Sequence, residues 1–209
     1  MRGSGRTELA RAIFGADASK GTLSLSGRSL KIRAPEDAIR HRIALVTEDR
    51  KAEGLFLQQS VKTNTTISGL KAFCRAWIIR RSKENEQVRN LIKQLQIKTP
   101  SMDHLVSAMS GGNQQKVILA RWLNIGAQVL LLDEPTRGID VGSKHEIYQL
   151  MSQLAEKGVG LIMISSELPE ILGMSDRILV MCEGRMVKEL PRAQASEEII
   201  MSYATGQIN

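Results

Sequence analysis

With 209 residues the chain suits one domain, large enough to bury roughly 70% of the surface its unfolded form exposes. Cys74 and Cys182 are too few and too unpatterned for a disulfide scaffold or a zinc site, and they fit a reducing compartment. The formal charge of +7 suggests a nucleotide, nucleic acid or an anionic membrane as partner. At 3% aromatics there are no aromatic-interleaved basic repeats to stack bases, so nucleic acid is not expected. The one local basic cluster, Arg75, Arg80, Arg81 and Lys83, reads first as a solvated face and second as a segment close to phospholipid. No apolar run nears the ~18 residues of a transmembrane helix, and Met1-Arg2-Gly3 starts no secretory signal. A cytoplasmic protein is expected, with any membrane association peripheral.

In chain order, Gly3-Ser4-Gly5-Arg6-Thr7-Glu8 is a glycine-rich turn feeding a short amphipathic helix that ends near Gly15. A phosphate-cradling loop, G-x-x-x-x-G-K-[ST], would have Gly-Lys-Ser/Thr where Gly5-Arg6-Thr7 stands, so alone this turn reads as a helix start. Gly21 to Arg33 predicts two short strands around Ser26-Gly27, and Pro35-Glu36-Asp37-Ala38 starts a short helix. Ile43 to Thr47 predicts a buried strand that ends in the charged run Glu48-Asp49-Arg50-Lys51. Phe56 to Val106 carries no strand signals. Within it Val88, Leu91, Ile92 and Leu95 mark one apolar helix face, which Thr99-Pro100-Ser101 breaks.

Ser110-Gly111-Gly112-Asn113-Gln114-Gln115-Lys116 then leads into an apolar helix. Ser110 is a good N-cap, and two glycines leave backbone N–H groups open at a helix start, a geometry that binds phosphate. Val129 to Leu132 reads as a strand buried on both faces, ending in Asp133-Glu134-Pro135. Alone, that ending reads equally well as an acidic turn. At the carboxyl end of a parallel strand, however, Asp133 can hold Mg²⁺ and Glu134 can orient or deprotonate a water attacking a phosphate. Ser143 is expected to cap a helix with Ile147, Leu150, Met151 and Leu154 on one face, stopped by Lys157-Gly158. Val159 to Ile164 predicts a third buried strand, Glu183-Gly184 a two-residue hairpin, and Glu197 to Tyr203 a terminal helix.

Taken in order, Ser110 to Lys116 followed by Asp133-Glu134-Pro135-Thr136-Arg137-Gly138-Ile139-Asp140-Val141-Gly142 resembles the signature motif, Walker B and D-loop of ATP-binding cassette (ABC) ATPases. The match is to the second cassette of the ATPase of bacterial sugar importers, in which one polypeptide carries two cassettes, and it runs from about Met1 to Asn209. It implies an α/β fold of the P-loop NTPase type: a mainly parallel sheet with helices on both faces and an inserted helical subdomain. The nucleotide-binding core would be 1–54 and 108–190, the helical subdomain 55–107 and a terminal helix 191–209. The first strands, with the adenine-stacking aromatic, are expected to be missing.

The resemblance further implies ATP and Mg²⁺ as cofactors. Gly3, Ser4, Gly5, Arg6, Thr7 and Glu8 would form a Walker A in which Arg6 keeps the charge of the usual Lys on a bulkier planar fork. Thr7, Glu48 and Asp133 would serve Mg²⁺, Glu48 standing where the Q-loop Gln is usual. Glu134 would be catalytic, with Ser166 at the position of the switch His; Ser166 reads equally as the N-cap of the next helix. Because ABC cassettes meet head to tail, Ser110, Gly111 and Gly112 would serve ATP held by a partner, and Asn113, Gln114 and Asp140 would also bind nucleotide. Implied partners are a second ABC cassette, integral-membrane permease subunits at the helical subdomain, and indirectly a periplasmic sugar-binding protein. The location is the cytoplasmic face of the bacterial inner membrane. Two other readings share these motifs: a soluble ABC ATPase without a transporter, and a non-catalytic assembly or regulatory remnant.

Overall fold

The computed structural model describes residues 5–207, so Gly3 and Ser4 lie outside the described residues. Helix α1 (Arg6–Phe14) starts at Gly5 and stops at Gly15, both left-handed. Strands β1 (Leu23–Leu25) and β2 (Arg28–Leu30) pair around Ser26-Gly27, and α2 (Pro35–Arg40) begins on its proline. All four residues of β3 (Ile43–Val46) are buried. A wide turn at Arg50–Gly54 and α3 (Val61–Thr66), capped by Ser60, open the helical region.

That region is not free of strands. A small hairpin, β4 (Cys74–Arg75) with β5 (Ile78–Ile79), interrupts it. Two residues per strand leave no alternation to read, and its turn, Ala76-Trp77, has no turn residue. Helix α4 (Arg81–Gln94) buries Val88, Leu91 and the capping Leu95 as expected. It stops before Thr99-Pro100-Ser101, because Gln96 turns left-handed with φ of 50°.

Helix α5 (Gly111–Asn124) leads into β6 (Val129–Asp133), α6 (Val141–Glu156) and β7 (Gly160–Ile164). The cap of α6 is Asp140, whose carboxylate accepts from the Ser143 N–H, so Ser143 is the capped residue rather than the cap. The sheet order β3-β6-β7 is parallel throughout and puts β6 at the centre, with Leu130, Leu131 and Leu132 fully buried. Each such leucine contributes about 1.5–3 kcal/mol of burial. The expectation of a third buried strand is corrected: β7 is an edge strand, with Ile162 48% exposed. Helix α7 (Leu168–Met174), the hairpin β8 (Arg177–Cys182) and β9 (Arg185–Pro191), and α8 (Glu197–Ala204) form a second, smaller core around Ile178, Val180, Leu190 and Ile200.

The helical region is pinned to α5 by a buried polar cluster. Arg121 donates to the Asn64 carbonyl at 2.7 Å, the Asn64 side-chain oxygen at 2.9 Å and the Gly54 carbonyl at 2.7 Å. Asn64 in turn donates to the Phe56 carbonyl and accepts from the Phe56 N–H, each at 2.9 Å. Burial lowers the Arg121 pKa to about 10, so it stays charged at neutral pH. Arg121→Ala should therefore lower stability by about 3 kcal/mol, since three buried acceptors lose a charged donor. The shift of the urea midpoint measures it, and a change under half of that would show that water replaces the guanidinium.

Candidate functional site

Five of the residues singled out by sequence line two cavities that share no lining residue, Thr7, Glu48 and Asp133 in one and Gly111 and Gln114 in the other. The first, of about 100 Å³, is lined by Thr7, Thr47, Glu48, Asp49, Glu53 and Asp133 among others. Asp133 ends β6 and is 2% exposed, and its Oδ1 has no hydrogen-bond partner. Burial pushes its carboxyl above the ordinary range; the bond from the Thr7 hydroxyl opposes the rise, and nearby Glu134 adds to it. An orphaned carboxylate oxygen beside a threonine hydroxyl is a hard-oxygen donor pair of the kind Mg²⁺ takes when it keeps waters and phosphate oxygens for its other positions. Glu48 lines the same cavity, but its carboxylate is ion-paired with Arg137. Among the described residues no three His, Cys, Asp or Glu side chains converge on one metal position.

Glu134 sits just beyond the strand with a left-handed φ of 47°, a strained setting for a glutamate that costs about 1 kcal/mol or more. Its N–H donates to the Ile164 carbonyl at 2.9 Å and its carbonyl accepts from the Arg137 N–H at 3.0 Å. The Ser166 hydroxyl donates to Glu134 Oε2 at 3.1 Å. The N-cap reading of Ser166 is thereby corrected: Glu167 is the N-cap of α7, without a side-chain bond, because Ser166 turns toward the end of β6 instead. Arg6 reaches the end of the neighbouring strand β7, donating from Nη1 to the Ser165 carbonyl at 2.9 Å. Glu8 is exposed in the first turn of α1. At Gly5, with φ of 84°, a Cβ would lie 2.7 Å from Gly184 Cα, so the β8–β9 turn closes on a position only glycine can fill.

The second cavity, of about 280 Å³, is lined by Arg50, Lys51, Ser107, Met109, Gly111 and Gly138 among others. Ser110 caps α5, accepting at its hydroxyl from the Asn113 N–H at 3.5 Å and the Asn113 amide at 2.9 Å. The side chains of Asn113 and Gln114 are engaged within the fold. Asn113 accepts from the Lys98 N–H at 2.7 Å, and Gln114 donates to the Val106 carbonyl at 3.1 Å. What remains at the surface is the exposed Ser110 and the amino end of a 14-residue helix, a positive dipole end. Close packing explains both glycines: a Cβ on Gly111 would lie 2.6 Å from Arg50 Nη2, and one on Gly112 would lie 2.5 Å from Ser143 Cβ. Asp140 is exposed, and its bond from the Ser143 N–H holds its carboxyl below the ordinary range.

Two contributors escape a reading of the sequence. Arg50 donates to the Arg137 carbonyl at 2.6 Å, the Gly138 carbonyl at 3.0 Å and Gln114 Oε1 at 3.4 Å, tying the segment after β3 to the turn after β6 and to α5. Glu170 is buried and accepts from the hydroxyls of Thr136, at 3.0 Å, and Ser165. Charge at a strand end hints at the first; nothing local marks the second.

The family described as ABC transporter matches residues 1–137. The chain belongs to the ABC transporter family. It is 55% identical over 205 residues to a putative ribose/galactose/methyl galactoside import ATP-binding protein of Rhizobium etli, covering 98% of this chain and 39% of that one. It is 51% identical to the ribose import ATP-binding protein RbsA of Oceanobacillus iheyensis, covering 99% of this chain and 42% of the relative. With the xylose import ATP-binding protein XylG of Geobacillus kaustophilus it shares 48%, over 99% of this chain and 41% of that protein. The chain thus spans about two fifths of these relatives' length. Among solved structures it superposes on a nucleotide-free ATP-binding cassette from an ABC transporter with a TM-score of 0.78, at 21% identity, covering 98% of this chain and 81% of the other. A dimeric cassette in a post-hydrolysis state with ADP and Pi gives 0.73 at 19% identity, over 90% and 81% of the two chains. These likenesses show the fold, the α/β cassette that the motifs imply.

Because the Asp133 pKa is raised on folding, its charge opposes folding at neutral pH, and the cost vanishes below the ordinary carboxylate pKa. Asp133→Asn should therefore stabilise the ligand-free chain at neutral pH and raise its Tm. It should also remove any stabilisation by Mg²⁺ with nucleotide. Thermal melts with and without both ligands measure this, and destabilisation of the ligand-free chain would contradict it.

Proposed function

We propose that this chain is the ATP-binding part of a monosaccharide importer, coupling ATP binding and hydrolysis to sugar uptake. The observation that carries the reading is a pair of separate cavities, one lined by Thr7, Glu48 and Asp133 and the other by Gly111 and Gln114. One holds the strand-end acid Asp133 with Thr7; the other abuts the amino end of α5 at Ser110 to Gly112. Two half-sites on one chain suit a head-to-tail pair of cassettes, each ATP lying between the acidic half of one and the helix end of the other. The names of the relatives, import ATP-binding proteins for ribose, galactose and xylose, supply the substrate class.

On this reading Thr7 and Asp133 would hold Mg²⁺, which when bound offsets phosphate charge. Glu134 would accept a hydrogen bond from the attacking water on the oxygen that Ser166 leaves open, and take its proton. Arg6 keeps a positive charge at the glycine-rich turn. Ser166 is neutral, so a cationic donor is absent from the γ-phosphate end, and losing one preorganised donor costs roughly 3 kcal/mol of barrier. The chain's own site would turn over slowly, while its Ser110–Gly112 half serves a companion cassette. That same deficit is what favours the second reading, a purely assembling or regulatory cassette.

The partners would be a second cassette, permease subunits contacting the 55–107 region, and through them a periplasmic sugar-binding protein. Residues 1–54 and 108–190 would be the nucleotide core, and the location the cytoplasmic face of the bacterial inner membrane. Among the described residues no helix is long and apolar enough to cross a membrane.

Purified chain should release phosphate from ATP well below ~1 s⁻¹, the low end of ordinary enzymes; faster turnover would refute the degenerate site. In an assembled two-cassette transporter, Gly111→Val forces a Cβ onto Arg50 and should abolish sugar-coupled hydrolysis while the chain still binds nucleotide at its own site. Unchanged coupled hydrolysis would remove the helix end from the reaction.

A further inference from the structure

The hairpin β4–β5 takes no part in either cavity, and the fold gives no account of its tip. Ala76 and Trp77 hold left-handed φ angles of 49° and 67°, a turn that Asn-Gly fills easily and a tryptophan fills only against strain. Trp77 is 100% exposed and Ile78 beside it 72%. Around them Arg75, Arg80, Arg81 and Lys83 are all exposed, and none belongs to an ion pair among the described residues. No acid lies between Arg75 and Lys83. The next, Glu84, is buried and accepts from the Thr66 hydroxyl at 2.8 Å, so it does not neutralise the patch; Glu86 is the first exposed acid.

We propose that this hairpin docks directly on an anionic phospholipid surface, Trp77 and Ile78 entering the headgroup layer while the four cations engage lipid phosphates. Tryptophan is at home at that depth, its ring half in hydrocarbon and its N–H in the wet layer. Arginine and lysine stems lie along apolar surface and keep their charge among headgroups. Each cation near such a surface adds attraction, and an apolar tip combined with a basic cluster supplies the two signals that stable peripheral binding needs. A protein groove would have to match one tip with shape and scattered acids. Charge of a single sign around a convex apolar point instead matches a surface that is anionic everywhere. This stands on the hairpin alone and goes beyond the transport reading, in which membrane association runs through the permease.

The test is co-sedimentation of the purified chain with vesicles of phosphatidylcholine, with and without phosphatidylglycerol, at low and high salt. The expected result is binding that requires phosphatidylglycerol and is lost at high salt. Trp emission should shift to the blue, with quenching by brominated lipid. Trp122 is only 7% exposed and packs edge-on against Phe14, so the change reports Trp77, and Trp77→Phe should abolish it while keeping most of the binding. Trp77→Ser with Ile78→Ser, and separately Arg80→Gln with Arg81→Gln, should each weaken binding on the order of tenfold. These positions are exposed, so unchanged melting temperatures are expected, and the wild-type measurements stand whatever the variants do. Failure of the wild-type chain to bind anionic vesicles overturns the proposal, as does equal binding by all variants. Capture of lipid-free permease that depends on the hairpin, without vesicle binding, overturns it too and assigns the tip to a protein.

Discussion

The central strand of a parallel sheet must be covered on both faces, and in this molecule that strand is β6. Its neighbours pair with it in register, Ile43 with Val129 on one side and Asp133 with Ile164 on the other. Parallel neighbours cannot be joined by a tight turn, so each link has to cross a face of the sheet. The link from β3 to β6 runs through residues 47–128 and carries the helical region; the link from β6 to β7 carries α6. Because all three strands point the same way, their carboxyl ends fall on one edge. That is why Thr47 and Glu48, Asp133 and Glu134, and Ser165 and Ser166 gather there from distant parts of the chain.

The long crossover needs anchoring, and α5 supplies it with two buried cations. Arg121 holds the loop around Asn64 and Gly54. Lys116, 1% exposed, donates to the Gln96 carbonyl at 3.0 Å and to Glu146 on α6 at 2.8 Å. Lys116 first and Lys98 second hold the Glu146 carboxyl below its ordinary range. Desolvating such charges nearly cancels their attraction, so they add little over well-packed apolar residues. What they contribute is position: an unpaired buried cation is costly in every alternative packing, so α5 has one seat. The amino end of α5, where Ser110 and Gly111 stand, is therefore placed by contacts well inside the protein.

Much of this was legible because strong periodicity and strong punctuation coincide. The apolar run Val129–Leu132, the face Val88-Leu91-Leu95 and the Glu183-Gly184 turn each have a local cause, and each forms where expected. The failures share a cause as well. Capping is a choice between neighbouring polar residues, and Asp140 is three residues before Ser143, where its carboxylate reaches the free N–H. β3 and β7 are both edge strands, yet β3 is buried throughout and β7 is not, so exposure depends on what other elements cover each strand, which no property of Val159 to Ile164 encodes. Ser166 could serve the helix after it or the acid across from it, and only the parallel register that brings Ile164 beside Asp133 decides for Glu134. The motifs identified the residue types, and tertiary contact determined which of their atoms remain available: Asn113 and Gln114 are engaged internally, whereas Ser110 is exposed.

The segment after β3 joins the two cavities. Glu48 and Asp49 line the smaller cavity, and the next two residues, Arg50 and Lys51, line the larger. The same segment is latched twice to the turn after β6, by the Glu48–Arg137 ion pair and by the Arg50 bonds to the Arg137 and Gly138 carbonyls. A group that entered the smaller cavity and competed for Glu48 would loosen the first latch, and Arg137 belongs to the peptide that Arg50 holds. Arg50 in turn lies where a Cβ on Gly111 would be and bonds to Gln114, so its displacement is felt at the amino end of α5. Contacts of this kind supply a route; the energy for coupling comes only from a ligand that binds one arrangement better than another. Buried Asp133, whose Oδ1 has no partner, shares its cavity with Thr7 and Glu48, so a cation held there would be the natural source of such a preference.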